Sequence, residues 1–334
     1  MTVSPRMKII GEDLLIYGIA IAIIWYESRG LNYHKEVHDL GDANLWCFVP
    51  ATVVAFSLWF FGENLLFARM FTHFHQQTGY REMLSGTAAF YFLQAANVLL
   101  ADGALMVFLH QRKNVPWVAS GFTMAYFGFI DGTVFALLIM AGGILVPSSP
   151  PHAYLPYSTT ALVFFVLIAA WWFWREPRYT FEKWLYNRPS LLAFRKATPA
   201  IYGELLLIRL LIVAPQGLLL WVCLKSFHLN IPIVQVLAES PVMFAAAASP
   251  ITPAGLGPLQ AVAVHFFSRY APEARVMAAM LAYSILHLLY RLPLGLGSAR
   301  VFVHSVLERA GVAEKSEDAS RKEAVGQRPV ESGG

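Results

Sequence analysis

The charged side chains that lie within long apolar segments of the chain include Asp102, Asp131, Glu239 and Arg291. Placing an ionised group in the middle of a membrane-spanning helix costs roughly 2.5–3.5 kcal/mol, so such groups usually face a cavity or an opposite charge. A carboxylate in that position can hold a proton or a cationic headgroup, and a guanidinium has the geometry to bind a phosphate. These four residues are therefore candidates for a substrate site.

Each of these candidates also has a purely structural explanation. Asp102 can cap the helix that follows it, because aspartate is favoured at helix N-termini, and both interpretations of Asp102 stay open. Arg291 can pair with Glu239 or with Asp131, since a buried charge without a partner is strongly unfavourable. For Arg291 we favour a phosphate contact or a structural ion pair over a role in catalysis.

Two further charges, Glu204 and Arg209, lie near the start of another apolar segment. They are five residues apart, whereas an ion pair within one helix prefers a spacing of three or four. We therefore expect each of them to have a different partner. The alternative is that each side chain simply extends to the membrane interface. This alternative is favoured for Glu204, and for Arg209 it is as well supported as a specific partner.

A helix-breaking run, Ser-Pro-Ile-Thr-Pro-Ala-Gly-Leu-Gly-Pro, occupies residues 249–258 inside an apolar stretch. Proline lacks the backbone donor and glycine has little helical preference, so a helix cannot continue through it. In lipid, broken backbone survives only where protein or a water-filled cavity satisfies its polar groups. The run predicts an internal site with free backbone N–H and C=O groups, formed around Pro250, Thr252, Pro253, Gly255 and Gly257.

The composition defines the class of protein. Hydrophobic residues make up 57% of the 334 and charged residues only 14%, whereas a soluble domain carries about a quarter charged residues. The mean hydropathy is +0.52. Cys47 and Cys223 suggest neither a disulfide framework nor a metal site. The small net charge of +4 is concentrated in loops and indicates membrane orientation and not nucleic-acid binding. The sequence predicts an all-α polytopic membrane protein.

The apolar segments and the basic loops between them predict a topology. The loop over 175–200 holds six lysines and arginines and the loop over 146–156 holds none, so we place the first in the cytoplasm and the second outside. Both termini are then cytoplasmic. We expect an integral membrane domain over 1–307 and a polar, disordered tail over 308–334. The predicted segments are 9–26, 45–68, 84–110, 117–145, 157–174, 201–224, 232–268 and 274–298.

Two of these segments are better explained as hairpins than as crossings. The loops on either side of 84–110 are both basic, so this segment should return to the side it came from, turning at Ala101-Asp102-Gly103. Asn97 could hydrogen-bond the freed backbone, although simple satisfaction of a core polar group is the favoured explanation for it. Segment 232–268 should enter from the opposite side and turn at the proline- and glycine-rich run.

The hairpins complete an architecture known from secondary transporters. About six full crossings and two opposed re-entrant hairpins form two units, over about 45–145 and 201–298, of the same order and opposite orientation. Such inverted repeats place their discontinuous helices near the middle of the membrane. The alternative is eight simple crossings with a kinked helix.

The helix-breaking run also resembles a family signature. Residues 249–260 are similar to the Pro-x-Thr-Pro-Gly-Gly-Leu-Gly-x-x-Glu motif of the lysylphosphatidylglycerol synthase transmembrane (flippase-like) family. Residues 97–103 resemble its first motif, without the usual proline, and Asp131 lies near the family's Arg…Asp pair. The resemblance covers about 45–300. Ala254 stands for the usual glycine and Gln260 for the usual glutamate, so Gln260 cannot handle a proton or a cation by charge.

The resemblance implies a function in the handling of lipids. It implies that the chain corresponds to the lipid-translocating half of such proteins, without the aminoacyl-transfer domain. The shorter members of the family, which this chain resembles in length, include proteins associated with hopanoid and other polyprenyl-derived lipids. We therefore expect an inner-membrane protein that binds and translocates an amphipathic lipid, of phospholipid or polyprenyl/hopanoid type, between leaflets.

The alternative function is that of a membrane-embedded transferase, or of the membrane subunit of a lipid-modifying enzyme such as one that makes lysylphosphatidylglycerol. Catalytic motifs for ATP hydrolysis, serine hydrolysis or metalloproteolysis are absent from the sequence, so we favour a protein that is not an enzyme and needs no cofactor. The expected partners are membrane lipids and a lipid-synthesis enzyme.

Overall fold

The computed structural model describes residues 44–95, 98–147, 155–173, 191–248 and 258–291, and the single residues 153, 180, 183, 188 and 293. Within these residues the regular elements are all helical. The helices are α1 (Leu45–Phe74), α2 (Tyr80–Gln94), α3 (Val98–Lys113), α4 (Trp117–Leu145), α5 (Leu155–Phe173), α6 (Leu192–Lys196), α7 (Pro199–Ser226), α8 (Ile233–Ala247), α9 (Pro258–Phe267) and α10 (residues 273–291).

Three of the described helices are long and apolar enough to cross a bilayer: Trp46–Phe74, Trp117–Leu145 and Pro199–Ser226. A single crossing needs roughly 20 predominantly apolar residues. Helices α2, α3, α8 and α9 are shorter than this, with 15, 16, 15 and 10 residues. The prediction of a helical membrane protein is confirmed, while the number of crossings stays a prediction.

Prolines define where several helices begin. Pro116 and Pro232 immediately precede α4 and α8, and Pro199 is the first residue of α7. Proline suits these positions because the first N–H groups of a helix have no intrahelical partner and its fixed φ is already helical. At the start of α7 the Thr198 hydroxyl accepts a hydrogen bond from the Ile201 N–H at 3.3 Å, which satisfies one of the remaining donors.

The predicted turn of the first hairpin is wrong in position. Helix α2 ends at Gln94 and α3 begins at Val98, so Ala101-Asp102-Gly103 lie within α3 and are helical. A single glycine does not end a helix whose neighbours pack well, and Ala101 is fully buried. The capping explanation of Asp102 is wrong for the same reason, because Asp102 lies inside α3.

Helices α1 and α7 form an antiparallel pair. At one end the Asn44 N–H donates to the Ser226 carbonyl at 2.9 Å, where α1 begins and α7 ends. At the other end His73 Nε2 lies 3.1 Å from Glu204 Oε2, where α1 ends and α7 begins. Helices α2 and α6 pack against α1, and α4 and α8 pack against α7, so this pair holds the position of the groups between them.

The buried apolar residues form two clusters. One is built around the aromatic side chains Phe67, Phe90 and Phe127 of α1, α2 and α4. The other joins the first half of α1 to the second half of α7 and to α8, α9 and α10. Trp59, in the middle of α1, packs against both clusters, so the space beside Trp59 lies between them.

Helix α8 is held in place by two glycines. A Cβ added to Gly142 of α4 would lie 2.6 Å from the Ala238 carbonyl oxygen, and one added to Gly217 of α7 would lie 2.8 Å from Ser240 Oγ. Both distances are shorter than van der Waals contact. The backbones of α4 and α7 therefore approach α8 as closely as they do because these positions lack side chains.

Replacing Gly142 by alanine is expected to destabilise the protein by about 1–3 kcal/mol, the usual cost of overpacking a well-packed contact. The matched control is Gly203→Ala in α7, whose added Cβ would meet no atom within 4 Å and should leave stability unchanged or slightly increase it. Thermal unfolding in detergent measures both variants. Equal midpoints for Gly142→Ala and Gly203→Ala would show that the close approach of α4 to α8 is not needed.

Candidate functional site

A cavity of about 480 Å³ lies between the two apolar clusters. Helices α1, α2, α3, α4, α7, α8, α9 and α10 all contribute to its walls. Aromatic and aliphatic side chains make up much of the lining. The charged residues among those that line it are Glu63, Asp102, Asp131, Arg209 and Arg291.

Arg209 is paired with two carboxylates at once. Its Nη1 lies 2.5 Å from Glu63 Oε1, and its Nε and Nη2 lie 2.5 and 3.0 Å from the two oxygens of Asp131. The two-pronged contact with Asp131 matches the planar guanidinium to the planar carboxylate. Arg209 is 5% exposed and Glu63 is 1% exposed, so solvent hardly screens the bridge, which joins α1, α4 and α7.

Arg291 has no such partner. Its side chain is 5% exposed, and its guanidinium carbon lies 5.7 Å from the ring centroids of both Trp59 and Tyr91. Among the residues that the structure describes, none forms an ion pair or hydrogen bond with Arg291, and its Nε is buried without a partner. The faces of two aromatic rings stabilise this cation in part, but they do not neutralise it.

Unpartnered polar atoms concentrate around the cavity. In the described part of the chain six lining residues each have a buried side-chain atom without a hydrogen bond: Trp59 Nε1, Glu63 Oε2, Gln94 Oε1, Gln216 Nε2, His287 Nε2 and Arg291 Nε. Buried polar atoms in folded proteins are almost always hydrogen-bonded, to protein or to water. A group of them around one cavity indicates that a polar ligand or ordered water completes the site.

The structure brings together three of the residues singled out from the sequence. Asp102, Asp131 and Arg291 all line the cavity. Gly103 follows Asp102 in α3 but does not line it, and an added Cβ there would meet nothing within 4 Å. The other candidates of the two motifs lie outside the described residues: Asn97, Pro250, Thr252, Pro253, Gly255 and Gly257.

Both predicted ion pairs of Arg291 are wrong. Asp131 pairs with Arg209, and Glu239 pairs with Arg269 at the end of α9 and accepts a hydrogen bond from Gln235 Nε2 at 2.5 Å. Glu239 is fully buried, but it does not line the cavity. The sequence identified these charges as needing partners, but it contained no information on which helices pack together.

Gln260 does not line the cavity itself, but it contacts a residue that does. Its Nε2 donates to Ser284 Oγ at 3.1 Å, and Ser284 and the neighbouring Leu259 line the cavity. The amide therefore connects α9 to α10 through a neutral hydrogen bond. Its structural role needs no charge at this position.

Sequence reasoning missed several residues of the site. Glu63 satisfies the criterion that selected Asp102, because it is an acidic residue inside an apolar segment, and that criterion could have found it. Trp59, Gln94 and Gln216 carry no comparable signal, since none of them is charged. The expectation that Glu204 and Arg209 have separate partners is confirmed: Glu204 contacts Arg69 and His73.

A helical bundle with three apolar spans and charged side chains around a buried cavity is the structure of a multi-pass membrane protein. The family described as "Lysylphosphatidylglycerol synthase TM region" matches residues 14–295, and the chain belongs to this family. The resemblance seen in the two motifs is thereby confirmed. Every residue that lines the cavity lies within the matched range. No curated protein matches the chain.

Proposed function

We propose that the chain binds the polar headgroup of an amphipathic lipid in the cavity and moves it between the leaflets of the membrane. The observation that carries this proposal is the buried guanidinium of Arg291, which faces the cavity and forms no ion pair with any residue that the structure describes. A buried charge without a partner is strongly unfavourable, so a ligand that supplies the opposite charge gains affinity from it. The phosphate of a lipid is such a ligand, and guanidinium suits its geometry.

The other unpartnered polar atoms of the cavity also suit a lipid headgroup, both at its phosphate and at its other polar groups. The N–H groups of Trp59, Gln216 and Arg291 are donors for phosphate oxygens. The free oxygens of Glu63 and Gln94 are acceptors for a hydroxyl or amine elsewhere in the headgroup. A volume of about 480 Å³ lies within the range of small-molecule pockets, so it accommodates a headgroup while the tails remain in the bilayer.

Such a site lowers the barrier for translocation. A headgroup that crosses the hydrocarbon region alone loses its hydrogen bonds to water. Here the polar groups of the cavity replace that water, and two phenyl rings, Phe90 and Phe127, line the same space for the apolar part of the molecule. The chain would thus act on a lipid without changing its covalent structure.

The arrangement of short helices supports the two re-entrant hairpins as part of this proposal. Helices α2 and α3 are each too short for a crossing and pack against each other, as do α8 and α9. Two opposed hairpins in an inverted repeat would bring the ends of these helices to the middle of the membrane. We place the protein in the inner membrane with both termini in the cytoplasm.

The family description favours a second candidate function, because it names a synthase. In that alternative the chain is a membrane-embedded transferase, or the membrane subunit of an enzyme that modifies a lipid. The lipid would occupy the same cavity. The two functions differ in whether the lipid changes chemically.

Translocation can be measured in liposomes that contain the purified chain and a phosphatidylglycerol with a fluorescent tail. We expect rapid loss of fluorescence from both leaflets when a membrane-impermeant quencher is added, and much slower loss from the inner leaflet with the Arg291→Gln variant. Arg275→Gln is the matched control, because Arg275 is an exposed arginine at the start of the same helix. Exchange no faster than in protein-free liposomes would contradict the proposal, and a chemically altered lipid in the mass spectrum would support the transferase.

A further inference from the structure

Asp102 is a charged group of the cavity that takes no part in the headgroup contacts proposed above. Asp102 lines the cavity from α3, and no ion pair or hydrogen bond of its carboxylate is found among the described residues. The carboxylate of Asp131 on α4 lines the same cavity and interacts electrostatically with Asp102. Asp131 is already bound to Arg209 at 2.5 and 3.0 Å, so Arg209 is not available to Asp102.

The charges of the cavity do not balance. Among the described residues that line it, three carboxylates face two guanidinium groups, and one guanidinium is shared by two of the carboxylates. The other titratable groups that line the same space, Tyr283 and His287, come from α10. Arg291 is 5% exposed, its Nε is buried without a hydrogen bond, and it has no ion pair within the described part of the chain, which independently indicates that a ligand binds here.

We infer that Asp102 is a proton-binding site, and that the chain takes up a proton at Asp102 when an anionic headgroup binds at Arg291. This inference rests on the function proposed above and adds the coupling ion to it. A phosphodiester at Arg291 neutralises the guanidinium that has no ion pair among the described lining residues, and it brings no positive charge of its own. In an interior of low dielectric constant the additional negative charge is costly. Asp102 is the carboxylate that can remove it, because Glu63 and Asp131 are held by Arg209.

The proton comes from water that reaches the cavity, and it ends on a carboxylate oxygen of Asp102. The phosphodiester itself does not change its protonation, so the proton taken up belongs to the protein. The anion and the proton then cross together without net movement of charge. A pH gradient across the membrane would accumulate the anionic lipid in the leaflet that faces the more alkaline side.

The experiment is calorimetric titration of the purified full chain with dihexanoyl phosphatidylglycerol, in buffers of different ionisation enthalpy at the same pH. We expect an uptake of up to about one proton for each lipid bound, and an affinity that falls by up to about tenfold for each unit of increasing pH. The Asp102→Asn variant should bind the lipid without proton uptake and without this pH dependence. Glu273→Gln, which removes an exposed carboxylate at the start of α10, is the control and should behave as the unchanged protein.

The possible results separate the inference from the proposed function. Lipid binding without proton uptake at any pH, or uptake that persists in Asp102→Asn, would overturn the inference and leave the proposed function standing. Absence of lipid binding by the unchanged protein would overturn both. If Asp102→Asn does not fold, the titration of the unchanged protein in the different buffers still decides whether a proton is taken up.

Discussion

Replacing Arg209 by leucine is expected to destabilise the protein by about 3–5 kcal/mol, because it leaves the buried Glu63 and the partly buried Asp131 without a counter-ion. Glu63 is 1% exposed, so water cannot compensate for the lost guanidinium. The bridge also holds α1, α4 and α7 together at the cavity. Unfolding in increasing concentrations of a denaturing detergent measures the change in the free energy of unfolding.

Two comparisons make this prediction specific. Arg69→Leu removes an arginine that is 57% exposed and faces Glu204 at 3.7 Å, and it should cost less than about 1 kcal/mol, as surface ion pairs usually do. Neutralising the partners as well, in Arg209→Leu with Glu63→Gln and Asp131→Asn, should recover a large part of the lost stability. A cost for Arg209→Leu no larger than that for Arg69→Leu would show that the bridge is not structural.

Replacing Arg291 by glutamine is expected to weaken lipid binding without destabilising the lipid-free protein. Loss of a desolvated charge contact costs about 2–5 kcal/mol of binding free energy, so affinity for a short-chain phosphatidylglycerol should fall by about 30-fold or more. The lipid-free protein should be as stable as before or more stable, since Arg291 is a buried cation that has no ion pair with the residues described by the structure. Titration calorimetry measures the affinity, and the detergent series measures the stability.

Arg291→Lys is the informative intermediate. Lysine keeps the charge but loses the planar fork of donors, so part of the affinity should be retained. A stability loss for Arg291→Gln similar to that for Arg209→Leu would contradict the different roles given to the two arginines. Such a result would mean that Arg291 supports the fold and that its missing partner is not a ligand.

The helices that the sequence predicted best are those with clear chemical boundaries. Segment 117–145 was predicted with the bounds that α4 has, because Pro116 precedes a long apolar run that ends before a proline-rich loop. The end of α2 at Gln94 was not predicted, since neither proline nor glycine occurs between it and the start of α3 at Val98. The only nearby helix-breaking residue, Gly103, lies inside α3, and the sequence pattern pointed to it.

The sequence predicted three charged residues of the candidate site, but it did not predict which of them form ion pairs. Asp102, Asp131 and Arg291 were selected because charges are rare in membrane helices, and they do line one cavity. Which carboxylate neutralises which arginine depends on how α1, α4, α7 and α10 pack, and close packing of this kind follows from side-chain shapes and small residues such as Gly142. A hydropathy pattern contains no such information, so the partner of Arg209 and the isolation of Arg291 became visible only in three dimensions.

The most direct test of the central claim is an experimental structure of the chain in a lipid nanodisc that contains phosphatidylglycerol. We expect a lipid phosphate in the cavity, with its oxygens about 2.7–2.9 Å from the guanidinium nitrogens of Arg291 and with the lipid tails directed into the bilayer. A lipid bound only at the outer surface, with water alone between Arg291 and the opposite wall of the cavity, would contradict it.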